Sequence, residues 1–199
     1  MTDSGAGSAR LPYDDEVTNA PVLPPPAQAK YQVRFDVGVD GLARVGRADV
    51  VVWVDALGVA GDGVDVAAVD PGAAVLSATL RNRSAVARWI LDHQVALGRR
   101  VSISVVTADG GDAFSSADLL AAGAVIDALS TLGIDFTSPE AAVACAAFVG
   151  LSGAVGHLFT ASVAGQELVA SGAATPAEVR QLAQVDADAD VVVLRQTSA

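Results

Sequence analysis

The chain reads as a three-layer α/β domain: a mostly parallel sheet flanked by helices, with a helical C-terminal half. Three observations predict this. The runs "ADVVVWVDAL" (48–57), "AAVLSATL" (73–80) and "RVSISVVTA" (100–108) are almost continuously apolar and rich in β-branched residues, as strands buried on both faces are. Helix-period segments alternate with them, and that alternation implies parallel pairing through right-handed crossovers. Finally, 52% of the 199 residues are hydrophobic but only 5% are aromatic, a composition suited to small side chains packed between a sheet and closely apposed helices.

Taken in order, residues 1–29 are rich in Ser, Gly, Ala, Asp and Pro and end in "PVLPPPAQAK". Consecutive prolines exclude a helix or central strand and predict a disordered, Pro-rich arm. A single α/β domain then occupies 30–199. "YQVRFDVGVDGL" opens it with an alternating strand followed by a turn. The first buried run follows, with Asp55 at its C-terminal end. "GVAGDGVDVAAVDPG", loaded with Gly and Asp, reads as a loop with room for a short strand or turn. After the second buried run, residues 84–97 form a helix with Val86, Trp89, Ile90 and Leu97 on its apolar stripe and Gly98 as its stop. The third buried run leads to a helix over 116–132, closed by Gly133. Ser138 with Pro139, and Thr175 with Pro176 and Glu178, mark two further helix starts. Residues 154–170 make another helix between them, and "ADVVVLR" (189–195) returns as a last strand.

A net charge of −11 argues against nucleic acid or an anionic membrane as partner, since either requires a basic surface. No apolar run approaches the roughly 18 residues of a membrane span and no signal peptide is visible, so the expected location is cytoplasmic. Cys145 is the one cysteine, which excludes an internal disulfide and a cysteine-rich zinc site. In its Ala-rich helical setting it reads as a small core residue. Arg81, Arg83, Arg88, Arg99 and Arg100 are five of the twelve basic residues, so a local positive field exists within an acidic shell.

Parallel sheets bind ligands beyond the carboxyl ends of their strands. Asp55 ends one strand there, Arg81-Asn82-Arg83 ends another, and Asp109, Asp112 and Asp118 follow a third. Asn82 or Ser84 is placed to cap the next helix, whose N-terminus, with Arg81 and Arg83 beside it, would receive a phosphate or carboxylate. Equally, Asn82 merely caps and the arginines pair with surface aspartates. Asp55 and Asp118 together suit a hard cation such as Mg2+, although Asp118 would also be favourable simply as an acid in the first turn of its helix. His93 and His157 read as edge-of-core or surface residues.

In the same order along the chain, "YQVRFDVGVDGL", "ADVVVWVDAL", "LRNRSAVARWIL", "SADLLAAGAVIDAL" and "DADVVVLR" resemble the 2-phosphosulfolactate phosphatase family, especially its actinobacterial branch. That resemblance implies an α/β fold and magnesium-dependent hydrolysis of a small anionic phosphate ester. It makes Asp55 and Asp118 the metal or acid–base residues, and Arg81, Asn82 and Arg83 the phosphate-binding ones. The chain lacks two of the family's donor-rich stretches, Arg-Ala-Ser/Thr-Thr and Asn-Gly-Thr/Ser, and has Ala117-Asp118 in place of Glu-Asp. If each lost donor removes about 3 kcal/mol of transition-state stabilisation, two losses slow the reaction about ten-thousandfold. The resemblance therefore implies an impaired phosphatase. The alternative is a catalytically silent relative that binds an anion or pairs with another subunit, a homo-oligomer included, through apolar surface left by the missing segments.

Overall fold

The computed structural model describes residues 28–58, 63–108 and 114–197. Its five strands are β1 (Val33–Val37), β2 (Val50–Val54), β3 (Ala74–Ala78), β4 (Ile103–Thr107) and β5 (Val192–Arg195), in the order β1-β4-β2-β3-β5. The first four run parallel, and β5 lies antiparallel against β3. Every residue of β2, β3 and β4 is buried, which is why these strands read as continuous apolar runs. The helices are α1 (Gly38–Val45), α2 (Arg83–Leu97), α3 (Ser116–Thr131), α4 (Pro139–Leu151), α5 (Val155–Ala161), α6 (Val163–Ala170) and α7 (Pro176–Leu182).

Alternate strand residues serve two layers. Val50, Val52, Val54, Leu76 and Val105 face the main core, which α2, α3 and α4 fill. α3 forms the middle of that layer; eleven of its sixteen residues are buried, so its sequence is apolar nearly all round. On the other sheet face, Val51, Trp53, Val75 and Val106 are covered by Leu42 and Val45 of α1 and by Val64, Val66 and Val69. The chain thus leaves β2 over the α1 face, whereas it leaves β4 into α3 on the opposite face. Neighbouring strands whose connections part in this way open a crevice at their C-terminal ends.

Several elements differ from expectation. Most of the Pro-rich arm, residues 1–27, lies outside the described residues, as do Asp109, Asp112 and part of the Gly/Asp loop. Gln28 and Ala29, assigned to that arm, are tied to the domain. The Gln28 amide exchanges two hydrogen bonds with the Phe35 backbone, at 2.9 and 3.0 Å, and Ala29 O accepts from Arg34 at 3.0 Å. The turn expected after β1 is the helix α1. Its glycines lower helix propensity, and burial of Leu42 and Val45 against the sheet is what holds it.

The helix expected over 154–170 is two, α5 and α6. Ser162 is extended, with φ −65° and ψ 155°, and its hydroxyl caps α6 by accepting from Gly165 N–H at 3.0 Å. Residues 139–170 taken together are also long and apolar enough, by length and composition alone, to cross a membrane, with 22% of the most apolar window buried. Scattered Gly and Ser residues kept this stretch from reading as one apolar run.

Candidate functional site

Asp55 follows the last residue of β2, beside the end of β3, and its N–H donates to Ala78 O at 3.3 Å. Its Oδ1 accepts from Gly58 N–H at 2.7 Å and Leu57 N–H at 3.3 Å, closing an Asx-type turn. A Cβ at position 58 would overlap the Asp55 carboxylate where it now lies, so a side chain there would displace that carboxylate from this turn.

Asp118 stands in the first turn of α3, whose N-cap is Ser115: the Ser115 hydroxyl accepts from Asp118 N–H at 3.2 Å. The Asp118 carboxylate reaches across to β2, where its Oδ1 accepts from Ala56 N–H at 2.7 Å. This bond joins the α3 N-terminus to the end of β2 at the point where the two chain connections part. Asp118 is 7% exposed. Burial pushes its carboxyl above the ordinary carboxylate range, against the pull of the Ala56 and Ser115 hydrogen bonds, and the neighbouring Asp55 charge adds to the rise.

Asn82 closes a 3-10 turn, Leu80–Asn82, that follows β3. Thr79 caps this turn by accepting from Arg81 N–H at 3.1 Å, and Asn82 Oδ1 reciprocates by accepting from Thr79 N–H at 2.9 Å. Its amide donates to Ser77 O at 3.4 Å. The expected cap on α2 is therefore corrected: Asn82 makes no side-chain cap to that helix. Instead, Ser84 N–H in the first turn of α2 donates to the Asp186 carboxylate at 2.9 Å.

The two arginines are also engaged by carboxylates. Arg81 donates through Nε and Nη2 to both oxygens of Asp188, each at 2.8 Å, and through Nη1 to Gln181 O at 2.7 Å. Arg83 donates to Asp127 at 2.8 Å and Asp186 at 3.1 Å, with its guanidinium 5.1 Å from the centre of the Phe148 ring. Asp186 takes a left-handed conformation, φ 54°, which asparagine and aspartate tolerate better than most residues. The backbone reinforces the contact, because Asp186 and Asp188 N–H donate to Leu80 O and Arg81 O at 3.3 and 2.9 Å.

Of the five predicted residues, Asp55 and Asp118 come together. Asn82 sits at the adjacent strand end with its amide used inside its own turn, and Arg81 and Arg83 face the segment before β5. Sequence reasoning missed Asp186 and Asp188, although the alternation in "DAD" at 186–188 matches that in "RNR" at 81–83. It also missed Ser115, which "SSAD" marks as a cap by its Ser-x-x-Asp spacing. His93 stacks on Trp89 with ring centres 4.9 Å apart, and His157 is exposed. A cleft of about 400 Å³ between α1 and residues 68–70 is lined by Leu42, Arg47, Val51 and Asp70, and none of the five predicted residues lines it.

Fold and site together define an α/β protein with a carboxylate pair at the crevice between β2 and β4. A family model described as 2-phosphosulpholactate phosphatase matches residues 65–197, more than half of the chain, and the chain belongs to that family. The match includes Arg81, Asn82, Arg83 and Asp118 and starts after Asp55. None of the curated proteins compared with the chain matches it.

Proposed function

We propose that this chain is a magnesium-dependent phosphate monoester hydrolase of reduced activity, acting on 2-phosphosulfolactate or a similarly small anionic ester. The observation that carries this reading is the Asp55–Asp118 pair, with Asp118 buried and hydrogen-bonded to the end of β2. Among the described residues, no group of three or more His, Cys, Asp or Glu is placed to hold a metal ion together. Two carboxylates suit magnesium, which takes few protein ligands and keeps several waters, better than four-coordinate zinc. Asp55 and Asp118 would hold the ion, which when bound supplies charge neutralisation at the phosphate oxygens.

The chain's own groups supply the rest. Burial biases the Asp118 carboxyl toward the protonated form while no ion is bound; as a magnesium ligand it would be ionised, so loading the ion would release its proton and make binding weaken at low pH. Asp55, half-buried and anchored by Gly58 N–H, keeps its carboxylate aimed from a rigid strand end. Reduced activity follows from the cations: Arg81 and Arg83 must give up Asp188, Asp186 and Asp127 before either binds a phosphate oxygen. The same observation favours a second reading, a silent relative whose anion site is filled by its own aspartates.

Phosphate release from 2-phosphosulfolactate and other monoesters, with and without magnesium, separates the two. The phosphatase reading expects slow, magnesium-dependent turnover that Asp55→Asn lowers at least about a hundredfold. No turnover above background supports the silent relative.

A further inference from the structure

The groups around the carboxylate pair determine which ester it can accept. The chain leaving β2 contains no Lys, Arg or His before Arg81, and the chain leaving β4 contains none before His157. The cations of neighbouring elements are held elsewhere. Arg44 donates to both oxygens of Asp36, at 3.1 and 2.7 Å, and Arg81 is bound by Asp188. Arg83 is bonded to Asp127, which lies about 13 Å along the α3 axis from Asp118. Arg88 lines a hollow with Thr131 and Leu132 at the far end of that helix.

What adjoins the pair is apolar instead. A small hollow at the ends of β1 and β4 is lined by Val37, Ala108, Phe114, Ser115 and Leu119, among others. Two bonds join it to the site. Ala108 N–H donates at 2.7 Å to Val54 O, one residue before Asp55, and the Ser115 hydroxyl accepts from Asp118 N–H at 3.2 Å. At the rim, Phe114 is 72% exposed and Val37 47%. Resting on the site of the phosphatase reading, we propose that the ester accepted there carries no anion besides its phosphate, and that its alcohol part is uncharged and apolar, packed against Phe114 and Val37.

Charge and desolvation both select this class. Besides the phosphate that a bound magnesium ion would neutralise, 2-phosphosulfolactate carries a carboxylate and a sulfonate. These would come close to Asp55 and Asp118, and no Lys or Arg among the described residues lines the hollow to receive them. An anion brought there loses hydration and meets like charge with no compensating partner. An apolar alcohol escapes that cost and gains from burial against Phe114 and Val37, and an aromatic one can stack offset on the Phe114 ring.

Steady-state kinetics of the full chain with magnesium, on benzyl phosphate, 2-phosphosulfolactate and phosphoethanolamine, test this. Benzyl phosphate should give the highest kcat/KM, at least about tenfold above 2-phosphosulfolactate, with most of the difference in KM. Phe114→Arg, at an exposed position, places a cation beside the hollow and should narrow that ratio at least about tenfold. If no ester turns over, the phosphatase reading falls, and the same esters serve as inert ligands. Tighter calorimetric binding of benzyl phosphate than of 2-phosphosulfolactate then still supports the proposal. Preferred turnover of 2-phosphosulfolactate leaves the phosphatase reading standing and overturns the proposal. So do phosphoethanolamine as the best substrate, a preference that Phe114→Arg does not move, and the absence of binding by any of the three.

Discussion

Asp118 lies with 7% of its surface exposed and with Asp55 as an acidic neighbour, so its charged form is disfavoured in the folded chain. Its folded value is raised above the unfolded one. The stability it contributes is therefore present below the unfolded carboxyl value and is lost as pH rises through the folded one. Asp118→Asn keeps an oxygen for Ala56 N–H and removes the charge. It should raise the thermal midpoint at pH 7 while abolishing turnover, and the gain should vanish near pH 3; a lower midpoint at pH 7 would contradict the account.

Asp49 shows the opposite balance. Burial alone would raise its value, but Arg99 at 2.7 Å together with the Ser102 N–H and hydroxyl at 2.7 and 2.8 Å outweigh it and hold the carboxyl at about 2. That contribution is present above the unfolded value and disappears as pH falls through the folded one. Allowing for solvent screening of the Arg99 pair, Asp49→Ala should cost about 1–2 kcal/mol in urea unfolding at pH 7, and the difference should close between about pH 4 and 2.

Among the elements, α3 and α4 pack with backbone in close approach at Gly123. A Cβ on Gly123 would overlap Ala144 O and crowd Phe148. Gly123→Ala, favourable in an isolated helix, should therefore destabilise the protein by about 2–3 kcal/mol, read as a lower urea midpoint. Ser138 is fully buried and its hydroxyl accepts from Ala141 N–H at 3.1 Å. Ser138→Ala should cost about 1–2 kcal/mol in the same assay. Helices with such caps were legible: Ser138-Pro139 and Thr175-Pro176-Glu178 start α4 and α7 where expected, because cap and acceptor lie within one turn. α1 was not legible. It has no side-chain cap and two glycines, and the sheet face that stabilises it comes from residues later in the chain.

The C-terminal segment determines what the site has available across the whole molecule. Asp186 and Asp188, more than 100 residues from the turn they meet, neutralise the arginines that would otherwise attract a phosphate. Replacing both with asparagine removes that competition while keeping side chains of similar size. Calorimetry with inorganic phosphate should show binding strengthened at least about tenfold over the unmodified chain. Unchanged binding would mean that Arg81 and Arg83 are structural clamps for this segment and nothing more.

Properties that depend on neighbours within a few residues could be read from the chain itself. The buried strands follow from continuous β-branched runs, α2 and α3 from apolar spacing and glycine stops, and the α/β class from their alternation. Tertiary structure decided which strand lies beside which, that Asp118 meets Ala56 across 62 residues, and that the helix N-terminus beside two arginines receives the chain's own aspartates. The physical reason is range. Caps and periodicity act over one or two turns of backbone, whereas the partner of a charge is whichever opposite charge the packed sheet and helices bring within about 3 Å, at any separation in sequence.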